Sequence, residues 1–364
     1  MNLYLTSIAA RAAAFVLLLA AAGCATESTI GTITRTSASP GTSPGPAAAS
    51  ADGAILARAA CQVNTDPAAF GQAVDTYYRE DILKAGLAAE LAARPLSTIF
   101  TNEENLRLAQ AAAGGRCERI SYRSGGLRVT GYLLHPAAPG PHPVLIWLRG
   151  GNREFGKIDQ ITLLNLQYVA DAGFIVLAPQ YRGVDGGEGE DEFGGADVVD
   201  VLALLPLARA LPHADSARLY LLGGSRGAMQ GTIAIRKGLP VRAAAYRGGV
   251  FDLKATLAAR PELEPGWQQM MPDFAVDRER ALARRSAVAW SSELRVPTLQ
   301  LHGREDWRAP LSGAQAFDTL LDRAGVQRKM VIYERDEHQL ALHRPQWLAE
   351  AVAWFREHGA FDPS

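Results

Sequence analysis

The sequence predicts an α/β architecture: a mainly parallel, doubly wound sheet of about eight strands, opened by an antiparallel hairpin and preceded by a helical extension. Three observations carry this. From residue 117 onward, short apolar runs alternate with helical stretches, the pattern of a parallel sheet with crossover helices. The first two runs, "ERISYR" and "LRVTGYLL", flank Ser124-Gly125-Gly126, a hairpin signal. Residues 55–116 carry apolar side chains at three- and four-residue spacings, as in "PAAFGQAVDTYYREDILKAGLAAELAA".

In chain order, the first segment is unlike the rest. Arg11 precedes an apolar run that ends at Gly23-Cys24, so residues 1–23 read as a secretory signal, too short to span a bilayer comfortably. A retained anchor helix is the alternative. The Gly-Cys ending resembles the lipobox of bacterial lipoproteins, although Ala21 stands where leucine is usual; the resemblance implies lipidation of Cys24 and an exported protein held at a membrane of the cell envelope. Residues 24–54 are rich in Ser, Thr, Pro, Gly and Ala and read as a flexible tether. Lipidating Cys24 would leave Cys61 and Cys117 as a candidate disulfide, with two buried free thiols as the alternative.

Residues 117–364 form the expected catalytic domain. Its apolar runs include "PVLIWL", "FIVLAP", "RLYLLG", "VRAAAYR", "VPTLQLHG" and "KMVIY", separated by stretches such as "ITLLNLQYVADAG" and "ADVVDVLALLPLARAL". Ligands in such sheets bind at the C-terminal ends of the strands. Over 364 residues, 48% apolar composition supports a large core, and a net charge of −1 argues against a nucleic-acid partner. No metal site or organic cofactor is expected, since the acidic residues lack a calcium-loop spacing.

The chemistry concentrates where "RLYLLG" runs into Gly223-Gly224-Ser225-Arg226-Gly227 and then a helical stretch. A serine hydroxyl becomes a useful nucleophile only beside a base, and only if donors await the oxyanion that forms. Gly-x-Ser-x-Gly between strand and helix, here Gly223, Ser225 and Gly227, supplies the turn that lifts a serine above the sheet. Asp306 follows the strand ending at His302-Gly303, placed to orient an imidazole, with Glu305 as its rival and His302 read as structural. His338 follows "KMVIY" on a loop and is the expected base, with His343 as competitor. The order Ser, Asp, His is that of α/β-hydrolases. The expected oxyanion donors are the N–H of Arg226 and one from "WLRGGNREFG", for which Gly151 is chosen; a plain glycine turn is the alternative.

These residues together resemble the catalytic domain of the prolyl-oligopeptidase family of serine peptidases over about residues 118–360. "VLIWLRGG…YVADAGFIVLAPQYRG" is similar to the family's run from the oxyanion loop to Tyr181-Arg182-Gly183, "RLYLLGGSRGA" to its nucleophile elbow, and "RRSAVAWSSELRVPTLQLHGREDWRAP" to the segment leading to the acid. The resemblance implies Ser225, Asp306 and His338 as triad and Gly151 with Arg226 as oxyanion donors. The chain departs from the family in having Arg149-Gly150-Gly151-Asn152 for His-Gly-Gly-Pro, Ala228 after Gly227, and a tether with a short helical region where family peptidases carry a β-propeller. The expected function is therefore a serine peptidase acting through an acyl-enzyme on a short peptide or small molecule. A small-acyl carboxylesterase is the nearest alternative, and a non-catalytic envelope binding protein represents another class.

Arg149, Arg182, Arg226 and Arg247 all fall at or just after strand ends, the edge where the site should lie. They could recognise a substrate carboxylate, because a guanidinium matches that group bidentately. Alternatively, they pair with the acidic loop of Glu188, Glu190, Asp191 and Glu192.

Overall fold

The computed structural model describes residues 51–361. Nine strands form one sheet: β1 (Ile55–Ala60), β2 (Cys117–Ser124), β3 (Leu127–Leu134), β4 (His142–Leu148), β5 (Ile175–Pro179), β6 (Ala214–Gly224), β7 (Ala243–Arg247), β8 (Thr298–Gly303) and β9 (Arg328–Tyr333). Their order is β1-β2-β3-β5-β4-β6-β7-β8-β9. The first three strands and the β3–β5 junction are antiparallel, and every pairing from β5 to β9 is parallel. This is the mainly parallel, doubly wound sheet that the alternating apolar runs predict.

The sheet is buried on both faces, and the period-2 alternation of each strand divides the core in two. Val144, Ile146, Leu219 and Leu221 pack on one face; Leu145, Trp147, Tyr220 and Leu222 pack on the other. The β2–β3 hairpin turns on Gly125 and Gly126 at φ 54° and 83°, left-handed values that glycine adopts without a Cβ penalty.

The extension differs from the sequence expectation at its start. Residues 55–60 are a strand, not a helix, which raises the count from about eight strands to nine. The segment Ile-Leu-Ala-Arg-Ala-Ala has good intrinsic helix formers. The open edge of β2 overrides that preference by offering a ladder from Ala60↔Glu118 to Ile55↔Tyr122. Cys61 is bonded to Cys117 at the end of that ladder, closing a loop of 56 residues. Within the loop lie α1 (Pro67–Lys84), α2 (Ala88–Ala93), α3 (Leu96–Ile99) and α4 (Asn102–Ala113). Asp66 caps α1 through the Ala68 N–H, ahead of a proline in the first turn. Thr101 and Glu104 form a capping box on α4. Phe70, Val74, Tyr78 and Ile82 of α1 pack into the same core as Trp147 and Trp347. The extension therefore belongs to the catalytic body.

Cys24, the signal and the start of the tether lie outside the described residues. Among the described residues, no helix is long and apolar enough to cross a membrane.

Candidate active site

Ser225 stands between β6 and the helix Arg226–Arg236 at φ 54° and ψ −119°, a backbone conformation that L residues rarely hold. Its surroundings enforce it. The Ser225 N–H donates to the Arg247 carbonyl at 2.9 Å, and its own carbonyl accepts from Ala228 at 3.0 Å and Val250 at 3.2 Å. The two motif glycines are steric necessities. A Cβ on Gly223 would lie 2.5 Å from the Gly227 oxygen, and one on Gly227 would lie 2.0 Å from the Leu148 oxygen.

His338 Nδ1 lies 2.8 Å from Asp306 Oδ2. Asp306 is buried after β8, where its Oδ1 accepts the N–H groups of Arg308 at 2.9 Å and Ala309 at 2.8 Å. His302 Nε2 lies 3.2 Å from Oδ2, so the carboxylate is shared by two imidazoles. Burial alone would push the Asp306 carboxyl up. The His338 charge and the hydrogen bonds from His302 and His338 outweigh that and hold it well below the usual carboxylate range. An ionised Asp306 fixes a proton on His338 Nδ1 and leaves Nε2 as the basic edge. The rivals lie elsewhere: Glu305 accepts the Asp336 N–H at 3.0 Å, and His343 Nδ1 bonds Asp336 at 2.9 Å.

Ser225 and His338 line one cavity of about 780 Å³, together with Gly150, Gly151 and Arg226. Among the described residues, neither the Gly151 nor the Arg226 N–H has an acceptor. In a planar trans peptide, an N–H points opposite the carbonyl of the same unit. The Gly150 carbonyl is held by Arg149 Nη1 at 2.9 Å, so the Gly151 N–H is turned away from Arg149. The Ser225 carbonyl is held by Ala228 and Val250, which fixes the Arg226 N–H in the same way. A strained serine, an oriented imidazole and two unspent backbone donors around one cavity are the parts of a nucleophilic acyl transfer.

The arginines separate. Arg226 is buried and its guanidinium pairs with both Asp191 and Asp197, while Nη1 also donates to the Gly151 carbonyl at 3.1 Å. Burial opposes its charge, but the two aspartates prevail; the same balance leaves Asp191 at about 2. Arg182 pairs with buried Asp200 at 2.8 Å and is not part of the cavity wall. Arg149 donates to four carbonyls, those of Gln180, Gly150, Phe155 and Arg153. The expectation that Arg149 and Arg182, or the Arg226 side chain, receive a substrate carboxylate is thus corrected: Arg149 is spent on carbonyls, and Arg182 and Arg226 already hold carboxylates of the protein. Of the four acidic loop residues only Asp191 serves as a partner; Asp197 and Asp200 come from the following stretch. Arg247 lines the cavity and has no carboxylate partner within 4.0 Å among the described residues.

Sequence reasoning missed one wall. Ala69, Gln72, Ala73, Thr76, Tyr77 and Glu80 of α1 line the cavity, as do Phe155, Phe193, Trp267 and Leu263. The helical spacing of the α1 residues was legible, but nothing local says that this face meets Ser225. Arg308 pins α1 in place through Asp81 at 2.7 Å.

Residues 160–360, which hold Ser225, Asp306 and His338, match the prolyl oligopeptidase family. The chain belongs to that family, one of serine-type peptidases. It is 31% identical over 192 residues to the uncharacterized peptidase YtmA of Bacillus subtilis, covering 52% of this chain and 74% of that protein. It is 29% identical to the acylamino-acid-releasing enzyme of Arabidopsis thaliana over 53% of this chain and 27% of the relative. Among solved structures, a puromycin-hydrolyzing peptidase of Mycobacterium tuberculosis shares the fold with a TM-score of 0.59 at 23% identity, over 67% of this chain and 40% of that one. The chain thus spans well under half the length of the latter two.

Proposed function

We propose that the cavity is the active site of a serine peptidase that cleaves short peptides or acylated amino-acid amides through an acyl-enzyme. Ser225 attacks the carbonyl, His338 takes its proton and returns it to the leaving amine, and Asp306 holds the imidazole. The N–H groups of Gly151 and Arg226 receive the oxyanion. The observation that carries the reading is the 2.8 Å His338–Asp306 contact on the wall of the cavity into which the strained Ser225 opens. The α1 wall flanks Ser225 across the cavity and favours small substrates over folded chains.

A fluorophosphonate probe tests the chemistry. It should label Ser225, as located by peptide mass spectrometry, and fail on Ser225→Ala; native protein unlabelled at Ser225 would refute the reading and favour a binding role. Turnover of aminoacyl anilides supports the peptidase assignment, and hydrolysis of short-chain nitrophenyl esters without turnover of the anilides supports an esterase. Export and lipidation at Cys24 are part of the proposal, supported by the signal-like segment and by the Cys61–Cys117 disulfide, since such bonds persist in oxidising compartments. Cys24→Ser should move the protein from the membrane fraction to the soluble one.

A further inference from the structure

We propose that Arg247 is the anion-recognising residue of this cavity and that the preferred substrates carry a free carboxylate. The inference rests on reading the cavity as a peptidase site and names its substrate class. Arg247 ends β7, and its carbonyl accepts the Ser225 N–H at 2.9 Å, so the backbone fixes it beside the nucleophile. Its Nη2 lies 3.1 Å from where a Cβ on Gly224 would stand, which places the guanidinium against the residue before Ser225. Among the described residues, its side chain makes one hydrogen bond, from Nη1 to the carbonyl of Gln339, the neighbour of His338. Nε is buried without a partner, a feature it shares with Arg226, so the distinction lies in the terminal nitrogens. The planar group sits 5.2 Å from the Trp347 ring, which itself lies 6.2 Å from Trp147 on the cavity wall.

A guanidinium with most of its donors unspent, set among aromatic rings, is costly until an anion arrives. The contrast with its neighbours makes the case: Arg226 has two aspartates, Arg182 one, and Arg149 four carbonyls. Among the described residues, Arg247 alone of the four has no carboxylate and only one carbonyl on its fork, and it stands beside the reacting centre. Stacking on Trp347 and the bond to Gln339 hold that fork in place, so little freedom is lost when a carboxylate docks bidentately. Among the described residues no carboxylate lies within 4.0 Å of Arg247, although Glu80, Asp81 and Asp159 line the same cavity, and a substrate carboxylate fits the unspent fork in charge and shape.

The test compares matched substrates that differ only in a carboxylate. One pair places it on the acyl side, N-succinyl against N-acetyl aminoacyl nitroanilides. The other places it on the leaving side, aminoacyl-glycine against aminoacyl-glycinamide. The carboxylate member of one pair should be favoured in kcat/KM by roughly 10- to 100-fold, the range of a hydrogen bond to a charged group. Arg247→Met should bring that ratio close to one. Arg247→Lys keeps the charge without the fork, should give an intermediate ratio, and serves if the methionine variant does not fold. A Ser225→Ala protein, titrated calorimetrically with the same compounds, should show the same preference in affinity and lose it with Arg247→Met. If Ser225 proves unreactive to fluorophosphonate, the peptidase reading falls while the calorimetry still decides this one. No carboxylate preference in either pair, or a preference that survives Arg247→Met, overturns the proposal.

Discussion

Replacing Asp306 by asparagine is the most informative single change, because the structure dictates which way the new amide must sit. Oδ1 accepts two backbone N–H groups, from Arg308 and Ala309, at 2.9 and 2.8 Å. An NH2 in that place would face two donors, so the amide oxygen must stay there and the NH2 must take the position of Oδ2, 2.8 Å from His338 Nδ1. A donor at that point selects the tautomer with its proton on Nε2, and an imidazole in that state cannot accept the serine proton. The comparable change in a serine-protease triad lowers kcat by about 10⁴, equivalent to about 5.4 kcal/mol of barrier. The expected outcome for Asp306→Asn is therefore a kcat loss on the order of 10⁴ with KM little changed, measured on a chromogenic aminoacyl anilide together with the rate of fluorophosphonate labelling. Glu305→Gln is the control, since Glu305 bonds Asp336 and not His338. An Asp306→Asn enzyme within tenfold of wild type, or an equal loss in Glu305→Gln, would show that Asp306 does not orient the base.

Arg149→Met should lower kcat by roughly 10²- to 10³-fold with KM little affected, because it releases the loop that carries one oxyanion donor; steady-state kinetics within threefold of wild type would contradict this. Cys61→Ser with Cys117→Ser should cost about 4 kcal/mol, by the chain-entropy estimate for a 56-residue loop, seen as a lower urea midpoint that reductant no longer shifts. The same change frees α1, so KM should rise more than kcat falls. Glu337, buried and beside Asp336, has its carboxyl pushed up to about 8. Its folded pKa lies above the unfolded value, so the unfolded chain binds fewer protons between about pH 4.5 and 8. That contribution to stability is complete below pH 4.5 and is lost as pH rises through 8, and urea titrations from pH 5 to 9 should show the decline, with Glu337→Gln flattening it.

What could be read from the sequence was what short segments determine. The elbow is local: Gly223 and Gly227 are needed because the strand, turn and helix around Ser225 leave no room for a Cβ. The order Ser225, Asp306, His338 and their positions after apolar runs placed them at one sheet edge. What could not be read depends on distant partners. Ile55–Ala60 has the composition of a helix and becomes a strand only because β2 offers an edge some sixty residues later. Tyr77 and Thr76 look like one more exposed helix face until α1 is docked by Arg308 and by the Cys61–Cys117 bond. The arginines were visible as a group, yet their partners Asp197 and Asp200 lay in a stretch read as an ordinary crossover helix, and only tertiary packing turns those carboxylates inward.

The loop proposed to carry an oxyanion donor shows how an altered motif can hold a backbone in place. With Arg149-Gly150-Gly151-Asn152 in this chain, the side chain of Arg149 gathers the carbonyls of Gly150, Arg153 and Phe155 from within the loop and that of Gln180 from beyond it. Each captured carbonyl turns its peptide over, and for the Gly150–Gly151 unit this directs the N–H away from the guanidinium. Arg226 completes the arrangement from the other side: its backbone offers the second N–H, while its side chain, neutralised by Asp191 and Asp197, holds the Gly151 carbonyl. In the proposed mechanism these two N–H groups receive the oxyanion, and the bonded Gly150 and Ser225 carbonyls orient them before negative charge develops. Arginine suits this task because its planar fork reaches several acceptors at once and keeps its charge when buried, which a histidine in the same place would not do. Of the four arginines noted in the sequence, Arg149 and Arg226 frame the backbone and Arg182 is tied to Asp200 away from the cavity, and that is why Arg247 stands out.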